Sequence, residues 1–559
     1  MELERIRILA DVYFLEIAGG VVVRNRHGSL EIMGKGAYQL LRWIFPTFDG
    51  SRTYMDATSA LPAAVEQHVR AIVNRLLERR FARVLPQDED HGHPLRERHP
   101  ELYNLLEYRT ESVSDAWQRV LAARVAVAGN GQLAQAVLAA LPDYGFQSGT
   151  GGAVTVLAAD SAAAYQCAVE AMGGDTAALL AGLCRNDSAI YGLAVHGHAG
   201  LPGPASLAAI ATLNGKSGQE PLLPPAALAI AAHALCLELF ERIAVPAEQA
   251  SEPRLLLVDE TTLELSHHRL PPLVLSDRAN APVGAALTRS DTDGWIRPDL
   301  GGSILPAAET EALNAIARSV AALTDARVGP VLRVDDGDLF QLPLAAAVAL
   351  SPGDGDGRPR RMLTLGLSAR ETRNQGVLAA VEDYYALNHE NGLAAAGWSR
   401  REALMRAGRT LFERDAAAYA GGTAVAYDWA QAPEALRYLA ELFEDFGGQF
   451  ACVRNRHGWY MASHPALVME KAGAGYGVGV LPQLAVGDLL LKLAVQRFYL
   501  DAGFDLSRPV LLSLDLDQDA LRQAVDEAMT QIEARVLELP APVSLSDACP
   551  LYIIGMRVR

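Results

Sequence analysis

Cysteine is scarce. The chain has five, Cys167, Cys184, Cys236, Cys452 and Cys549, scattered over 559 residues with no CxxC pair. An odd, dispersed set excludes a disulfide-stapled fold and paired zinc thiolates, and it points to a reducing compartment. Basic residues are in the minority, 49 Lys and Arg against 66 Asp and Glu, for a formal charge of −17. So acidic a surface has little attraction for a phosphate backbone or an anionic bilayer, so neither nucleic acid nor membrane is expected as a partner. Long apolar runs are missing too. The longest segment, Pro224 to Phe240, contains His233 and Glu238 and falls short of a membrane span. The opening Met1-Glu-Leu-Glu-Arg-Ile-Arg lacks the plan of a signal peptide. The expected location is cytoplasmic.

What is present is an ordinary globular composition, half hydrophobic and 21% charged, long enough for several domains. The composition shifts and motifs divide it at 1–110, 111–282 and 283–559. The second part opens on Arg124-Val-Ala-Val-Ala-Gly-Asn-Gly-Gln-Leu-Ala. A short apolar strand runs into Gly129, Gly131 and Ala134 in the pattern G-x-G-x-x-A, and Leu133, Val137, Leu138 and Leu141 follow at helical spacing. That is the start of a Rossmann-type half, whose helix N-terminus presents unpaired amides to a phosphate. Val154 to Ala159 reads as the next strand, with Asp160 at its end where a ribose hydroxyl would be bound. Gly129, Gly131, Ala134 and Asp160 are therefore the candidate nucleotide residues. Taken alone, the motif also permits a nucleotide-dependent oxidoreductase.

The first part reads as a winged helix-turn-helix. Val12–Ile17, Val21–Val23 and Leu30–Met33 form a meander, a helical stripe over Ala37, Leu40, Leu41 and Ile44 stops at Pro46, and a stronger helix begins near Pro62. That helix carries Val65, Val69, Ile72, Val73, Leu76 and Leu77 on one face, with Arg70, Asn74, Arg75 and Glu78 on the other. Phe81 to Leu85 returns as a strand. Such a unit can read DNA, which the charge opposes, or offer a sheet edge to an extended peptide. In the peptide reading the docking residues are Leu30, Glu31, Ile32 and Met33 of the strand, with Arg70 and Asn74 of the helix. Residues 86–100 read as a polar linker, and His91 and His93 as solvated loop residues.

Several tempting features carry no chemistry. Gly215-Lys216-Ser217 ends like a phosphate loop, but Ile210 occupies the place of its glycine. His196 with His198, and His267 with His268, are pairs without a third ligand, so no metal is expected. Cys167 and Cys184 lie in Ala-rich settings and read as buried packing. Gly473, Gly475, Gly477 and Gly479 read as a mobile loop. Val-Arg-Asn-Arg-His-Gly occurs at 23–28 and again at 453–458, in both places as a hairpin turn between strands.

Motifs along most of the chain resemble one family, the thiazole-containing bacteriocin maturation proteins. These are ThiF-like partner proteins of thiazole/oxazole-modified microcin synthesis. The matching stretches are Tyr13-Phe-Leu-Glu with Gly19-Gly-Val-Val-Val-Arg-Asn25, Arg124-Val-Ala-Val-Ala-Gly-Asn-Gly131, and Leu235-Cys-Leu-Glu-Leu-Phe240 with the 255–264 hairpin. Asp338-Leu-Phe-Gln-Leu-Pro-Leu344 and Leu367-Ser-Ala-Arg-Glu-Thr-Arg373 complete the set. The resemblance implies an α/β multidomain protein with a winged-helix-like peptide-recognition domain, a ThiF-like Rossmann domain and a C-terminal α/β domain faintly like the YcaO fold. It implies capture of a precursor's leader peptide and delivery of its core to a YcaO-type cyclodehydratase. The chain departs from adenylating relatives after Asp160, where Ser-Ala-Ala-Ala-Tyr-Gln-Cys supplies none of the charges that grip a triphosphate. The expectation is a scaffold without catalytic residues, cofactor or metal, and an ATP-using enzyme is the alternative.

In the third part, Ser368…Glu371 and Ser399…Glu402 carry the capping-box signature of two helix starts. Glu371, Glu382, Glu402 and Glu413 are the carboxylates that could hold Mg²⁺ and ATP. Solvated helix faces explain them at least as well, and no ATP site is assigned.

Overall fold

A computed structural model describes residues 4–25, 28–85, 93–149, 154–171, 179–186, 189–196, 224–245, 254–269, 307–337, 339–353, 359–387, 393–414, 421–443, 446, 450–467, 475–499, 505–506, 514, 516–529, 536–539 and 551–556. Outside these lie His91, His198, Ile210, Gly215–Ser217, Asp338, Gly473 and Cys549. The chain divides into two compact units, one of residues 1–158, 175–181 and 228–252, the other of 159–174, 182–227 and 253–559.

In the first unit, β1 (Arg5–Ile8) leads to a meander of β2 (Tyr13–Ile17), β3 (Gly20–Asn25) and β4 (Gly28–Met33). Then come α1 (Ala37–Thr47), β5 (Asp49–Thr53), α2 (Tyr54–Thr58), α3 (Ala63–Glu78) and β6 (Ala82–Leu85). The meander is antiparallel throughout, in the order β2-β3-β4. The strand at 82–85 does not join it. It pairs with β1 in a separate sheet, β5-β1-β6. The α1 helix continues one residue past Pro46, since a proline in the last turn costs only one ladder bond. In α3, Pro62 is the N-cap rather than the first helical residue, and Val69, Ile72, Val73 and Leu76 are buried. They share one core with Val21, Val23, Ile32, Leu41 and Ile44.

The described end of the segment read as a linker, from residue 93, is helical, with α4 (Pro94–Arg98) and α5 (Pro100–Arg109) each opening on a proline. His93 is a buried N-cap, its Nδ1 accepting from the Leu95 amide at 3.2 Å. Glu107 of α5 is buried between Arg7 and Arg83, at 3.0 and 3.4 Å, so α5 is tied to β1 and β6. Glu97 and Arg98 remain exposed, so the buried ion pair belongs to α5 and not to the polar segment before it.

After α6 (Val113–Ala122) come β7 (Arg124–Ala128), α7 (Gln132–Ala140), β8 (Gln147–Ser148), β9 (Val154–Ala159), α8 (Ala162–Ala171), β10 (Leu179–Asn186), β11 (Ala189–His196), α9 (Pro225–Ala244), β12 (Arg254–Asp259) and β13 (Leu265–Arg269). Their strands form one seven-stranded sheet, ordered β13-β12-β11-β10-β9-β7-β8. β7 runs parallel to β8 and β9, while β11, β12 and β13 are antiparallel. Residues 260–264 separate the end of β12 at Asp259 from the start of β13 at Leu265. The Asp259 carboxylate accepts from the amides of Thr261 and Thr262, which lengthens the turn.

The second unit continues with α10 (Ala307–Leu323), β14 (Arg333–Asp335), β15 (Ala345–Ser351), β16 (Arg360–Gly366), α11 (Ala369–Leu387), β17 (Ala394–Gly397) and α12 (Arg400–Arg414). It ends with β18 (Thr423–Ala424), α13 (Glu434–Glu441), β19 (Ala451–Arg454), β20 (Tyr460–Ser463), β21 (Tyr476–Gly479), α14 (Pro482–Phe498), β22 (Asp505–Leu506), α15 (Gln518–Met529), β23 (Val536–Leu539) and β24 (Tyr552–Met556). Three sheets result: β14-β15-β16-β22, β17-β24-β23 and β18-β19-β20-β21.

One strand-to-helix joint recurs in this unit. A Cβ on Gly366, at the end of β16, would lie 2.8 Å from Thr372 Oγ1. On Gly397 it would lie 2.3 Å from the Ala403 amide, and on Gly479 2.6 Å from the Ala485 amide. Each glycine meets the residue six positions on, in the first turns of the next helix. Only a residue without a side chain lets helix and strand approach so closely. Gly477 and Gly479 are thus strand residues packed on α14, not a mobile loop.

Both capping boxes form. The Ser368 and Ser399 hydroxyls accept from the amides of Glu371 and Glu402 at 3.2 and 3.1 Å. Each glutamate reaches back to the chain before its helix, to the amides of Leu367 and Trp398.

Candidate functional site

Gly129 has φ +131°, and a Cβ there would sit 2.0 Å from the Ala158 carbonyl. The turn is therefore glycine-only, and Ala134 is buried beside it, its Cβ 3.4 Å from where a Cβ on Gly129 would stand. Gly131 is the N-cap of α7, with no side chain capping the helix and no acidic residue in its first turn. Asp160 stands one residue past β9. The strand, turn and helix expected from the sequence are all present.

Of the residues expected to dock a peptide, Leu30 to Met33 lie on an open edge. β4 pairs with β3 alone among the described residues. The two-residue hairpin at Asn25↔Gly28, and the Gly34 amide donating to Gly19 O, fix which amides face β3. By the alternation of an antiparallel ladder, the amides of Ser29, Glu31 and Met33 point outward. Leu30 and Ile32 turn their side chains into the core, whereas Met33 is 63% exposed. On α3, Asn74 is exposed, while Arg70 bonds Glu66 at 2.9 Å and lies over the Tyr54 ring. Tyr13 and Leu15 stand on the same outer face as Glu31 and Met33, and both are about half exposed or more. An apolar strand such as Val12–Ile17 gives no sign in sequence of which of its faces stays exposed.

The third group of candidates is corrected outright. Glu371, Glu402 and Glu413 are buried, not on solvated faces. Helices α12 and α14 are buried along almost their whole length, from 402 to 413 and from 484 to 494. Charges there survive because they are paired. Arg406 contacts Glu402 at 3.2 Å and Glu382 at 3.4 Å, and it also bonds Gln375. Arg409 bonds Asp488. Lys492 bonds Glu413 at 2.6 Å and Asp488 at 3.2 Å. Glu371 is spent on its helix cap. Glu382, Glu402, Glu413 and Asp488 each have a cation built into the protein.

The repeated Val-Arg-Asn-Arg-His-Gly makes hairpins in both places, with different turns. The first closes at Asn25↔Gly28 around two residues. The second closes at Arg454↔Tyr460, where the Asn455 carboxamide accepts from the amides of His457 and Trp459, both at 2.9 Å. Beside the second copy, a groove of about 920 Å³ runs along α15. Arg454, Arg456 and His457 line one side, with Asp519, Asp526 and Glu527 on the other.

No family model matches the chain, and no curated protein does. Solved structures do. A heterocyclase in complex with substrate and cofactor is alike over 99% of this chain and 94% of its own, at 13% identity and a TM-score of 0.55. The chain has the fold of a heterocyclase. The heterocyclase TruD matches over the same shares, at 14% identity and a TM-score of 0.50. E. coli MccB, solved with ATP, is alike over 47% of this chain and 96% of its own, at 10% identity and a TM-score of 0.33, too low for anything to rest on. The heterocyclase fold thus takes in both the seven-stranded sheet and the region of paired carboxylates. Among the described residues no helix is long and apolar enough to cross a membrane, and no group of His, Cys, Asp or Glu is arranged to hold a metal ion.

Proposed function

We propose that this protein is a partner in the biosynthesis of thiazole- and oxazole-containing ribosomal peptides. It binds the leader of a precursor through its N-terminal winged-helix-like domain and presents the core to a separate YcaO-type cyclodehydratase. It is not itself the catalyst. The observation that carries the reading is the closed state of the buried carboxylates. Mg²⁺ needs oxygen ligands free to face it, and a triphosphate needs free cations. Here Glu382, Glu402, Glu413 and Asp488 already satisfy Arg406, Arg409 and Lys492. The outward amides of Ser29, Glu31 and Met33 support leader docking as an added strand.

A second reading, a self-sufficient heterocyclase, is favoured by the likeness to a heterocyclase over nearly both whole chains. One experiment separates them. Ring formation on a leader-bearing precursor, followed as loss of one water per ring, is measured with ATP and with each protein omitted in turn. The partner reading expects no rings from this chain alone and a rate gain when it joins the cyclodehydratase, because tethering raises local substrate to roughly millimolar. The gain should vanish for leaderless peptide. It should also vanish for Glu31→Pro, which removes an outward amide while sparing the bonds to β3. Rings made by this chain alone would establish the second reading.

A further inference from the structure

We infer that Ser266, His268 and Asp325 form a serine nucleophile with its base and orienting acid, a site for acyl transfer from carboxylic esters. Ser266 Oγ lies 2.8 Å from His268 Nε2, and His268 Nδ1 lies 2.8 Å from Asp325 Oδ2. Ser266 and His268 are two apart on β13, so their side chains share one face of the strand. Asp325 comes from the turn after α10, 57 residues on, so the contact is tertiary.

The protonation states follow from the partners. Burial opposes ionisation of Asp325, but hydrogen bonds from His268 and the amides of Arg327 and Val328 outweigh it and hold the carboxyl below its usual range. A carboxylate only accepts, so the histidine proton sits on Nδ1. Nε2 at 2.8 Å then offers its lone pair to the serine hydroxyl, whose other acceptor is the Leu257 carbonyl at 3.4 Å. This is the order of contacts a serine hydrolase uses, recognised by geometry and role rather than by position in the chain.

A donor for the developing oxyanion is at hand. Asp259 donates its amide to Glu264 O, which sets the alternation of the β12–β13 ladder. By that alternation Leu257 and Ser266 exchange their amide bonds, and the amide of His267 points to the outer edge of β13. β13 is the last strand of its sheet among the described residues. The amide next to the nucleophile is thus directed to the open side.

The chemistry balances without another reagent. Oγ forms a bond to the ester carbonyl carbon while its proton passes to His268 Nε2. The carbon–alkoxide bond breaks, and the leaving alcohol takes that proton. Water then attacks the acyl-serine and gives a proton to His268. Release of the carboxylic acid returns that proton to Oγ.

The test uses the full chain and a fluorophosphonate probe, with p-nitrophenyl acetate as substrate. The site expects phosphonylation of Ser266, located by peptide mass spectrometry. Ser266→Ala and His268→Gln should each slow probe reaction by ~100-fold or more, the contribution of a general base. Asp325→Asn should slow it as well. Melting temperatures of all variants decide whether a loss is structural. Labelling that persists in Ser266→Ala, or no labelling of the folded parent, overturns the inference. So does a rate that follows melting temperature alone.

Discussion

Cys184 and Cys236 are fully buried, and burial pushes both thiols up to about 12; Cys452 is pushed to about 11. Cys167 is exposed. At pH 8 a disulfide reagent should therefore modify Cys167 within minutes and leave these three untouched until denaturant is added, as peptide mapping would show. The same burial has a stability consequence of definite sign. An unfolded thiol ionises near 9, so the folded state loses ground as pH rises from about 9 toward 11–12 and is unaffected below. The sequence reading treated Cys167 and Cys184 alike, and half of that fails. Tyr165 is buried on α8, and two residues along a helix is about 200° of rotation, which turns Cys167 to the opposite face. In an Ala-rich helix neither face is marked. The Ser266–His268–Asp325 contact escaped for a related reason, since nothing near His268 in sequence announces a carboxylate from another element.

The capping boxes of α11 and α12 were legible because a cap is local: serine and glutamate three apart determine it. The burial of α12 was not. Arg406, Arg409 and Glu413 look like a solvated face until Gln375 and Glu382 of α11 and Asp488 and Lys492 of α14 are brought beside them. The repeated Val-Arg-Asn-Arg-His-Gly makes the same point, since one string closes two turns of different length according to its flanking strands. Lys492→Met should test how much α14 owes to its buried cation. Removing a charge that Glu413 and Asp488 share should cost about 3–5 kcal/mol, read from the urea midpoint. Replacing Glu413 by Leu in the same chain should recover much of that loss. A smaller deficit for the single variant than for the double would contradict this account.

At the scale of the molecule, the strand–glycine–helix opening at 124–140 and the meander were readable from period and turn residues. The assembly of β7 to β13 into one mixed sheet was not, because pairing between strands far apart in sequence, such as Ala189 with Asp259, leaves no local pattern. The separation of residues 333–556 into three small sheets was also hidden. Nucleotide binding is a property of the whole chain on which the two functional readings part. With a net charge of −17 and the core cations of the second unit already paired, calorimetry with MgATP should give no binding heat at millimolar nucleotide. Micromolar binding would favour the self-sufficient heterocyclase.

The joints at Gly366, Gly397 and Gly479 amount to a ruler written into the chain. Each sets strand against helix at a gap too narrow for a methyl group, and each is measured off by the same six-residue interval. Any other sequence threaded onto this fold can be checked against that interval before its structure is known. A larger residue at one of the three marks means the helix there stands farther from its strand, and the side chains packed between them must be rebuilt to fill the space.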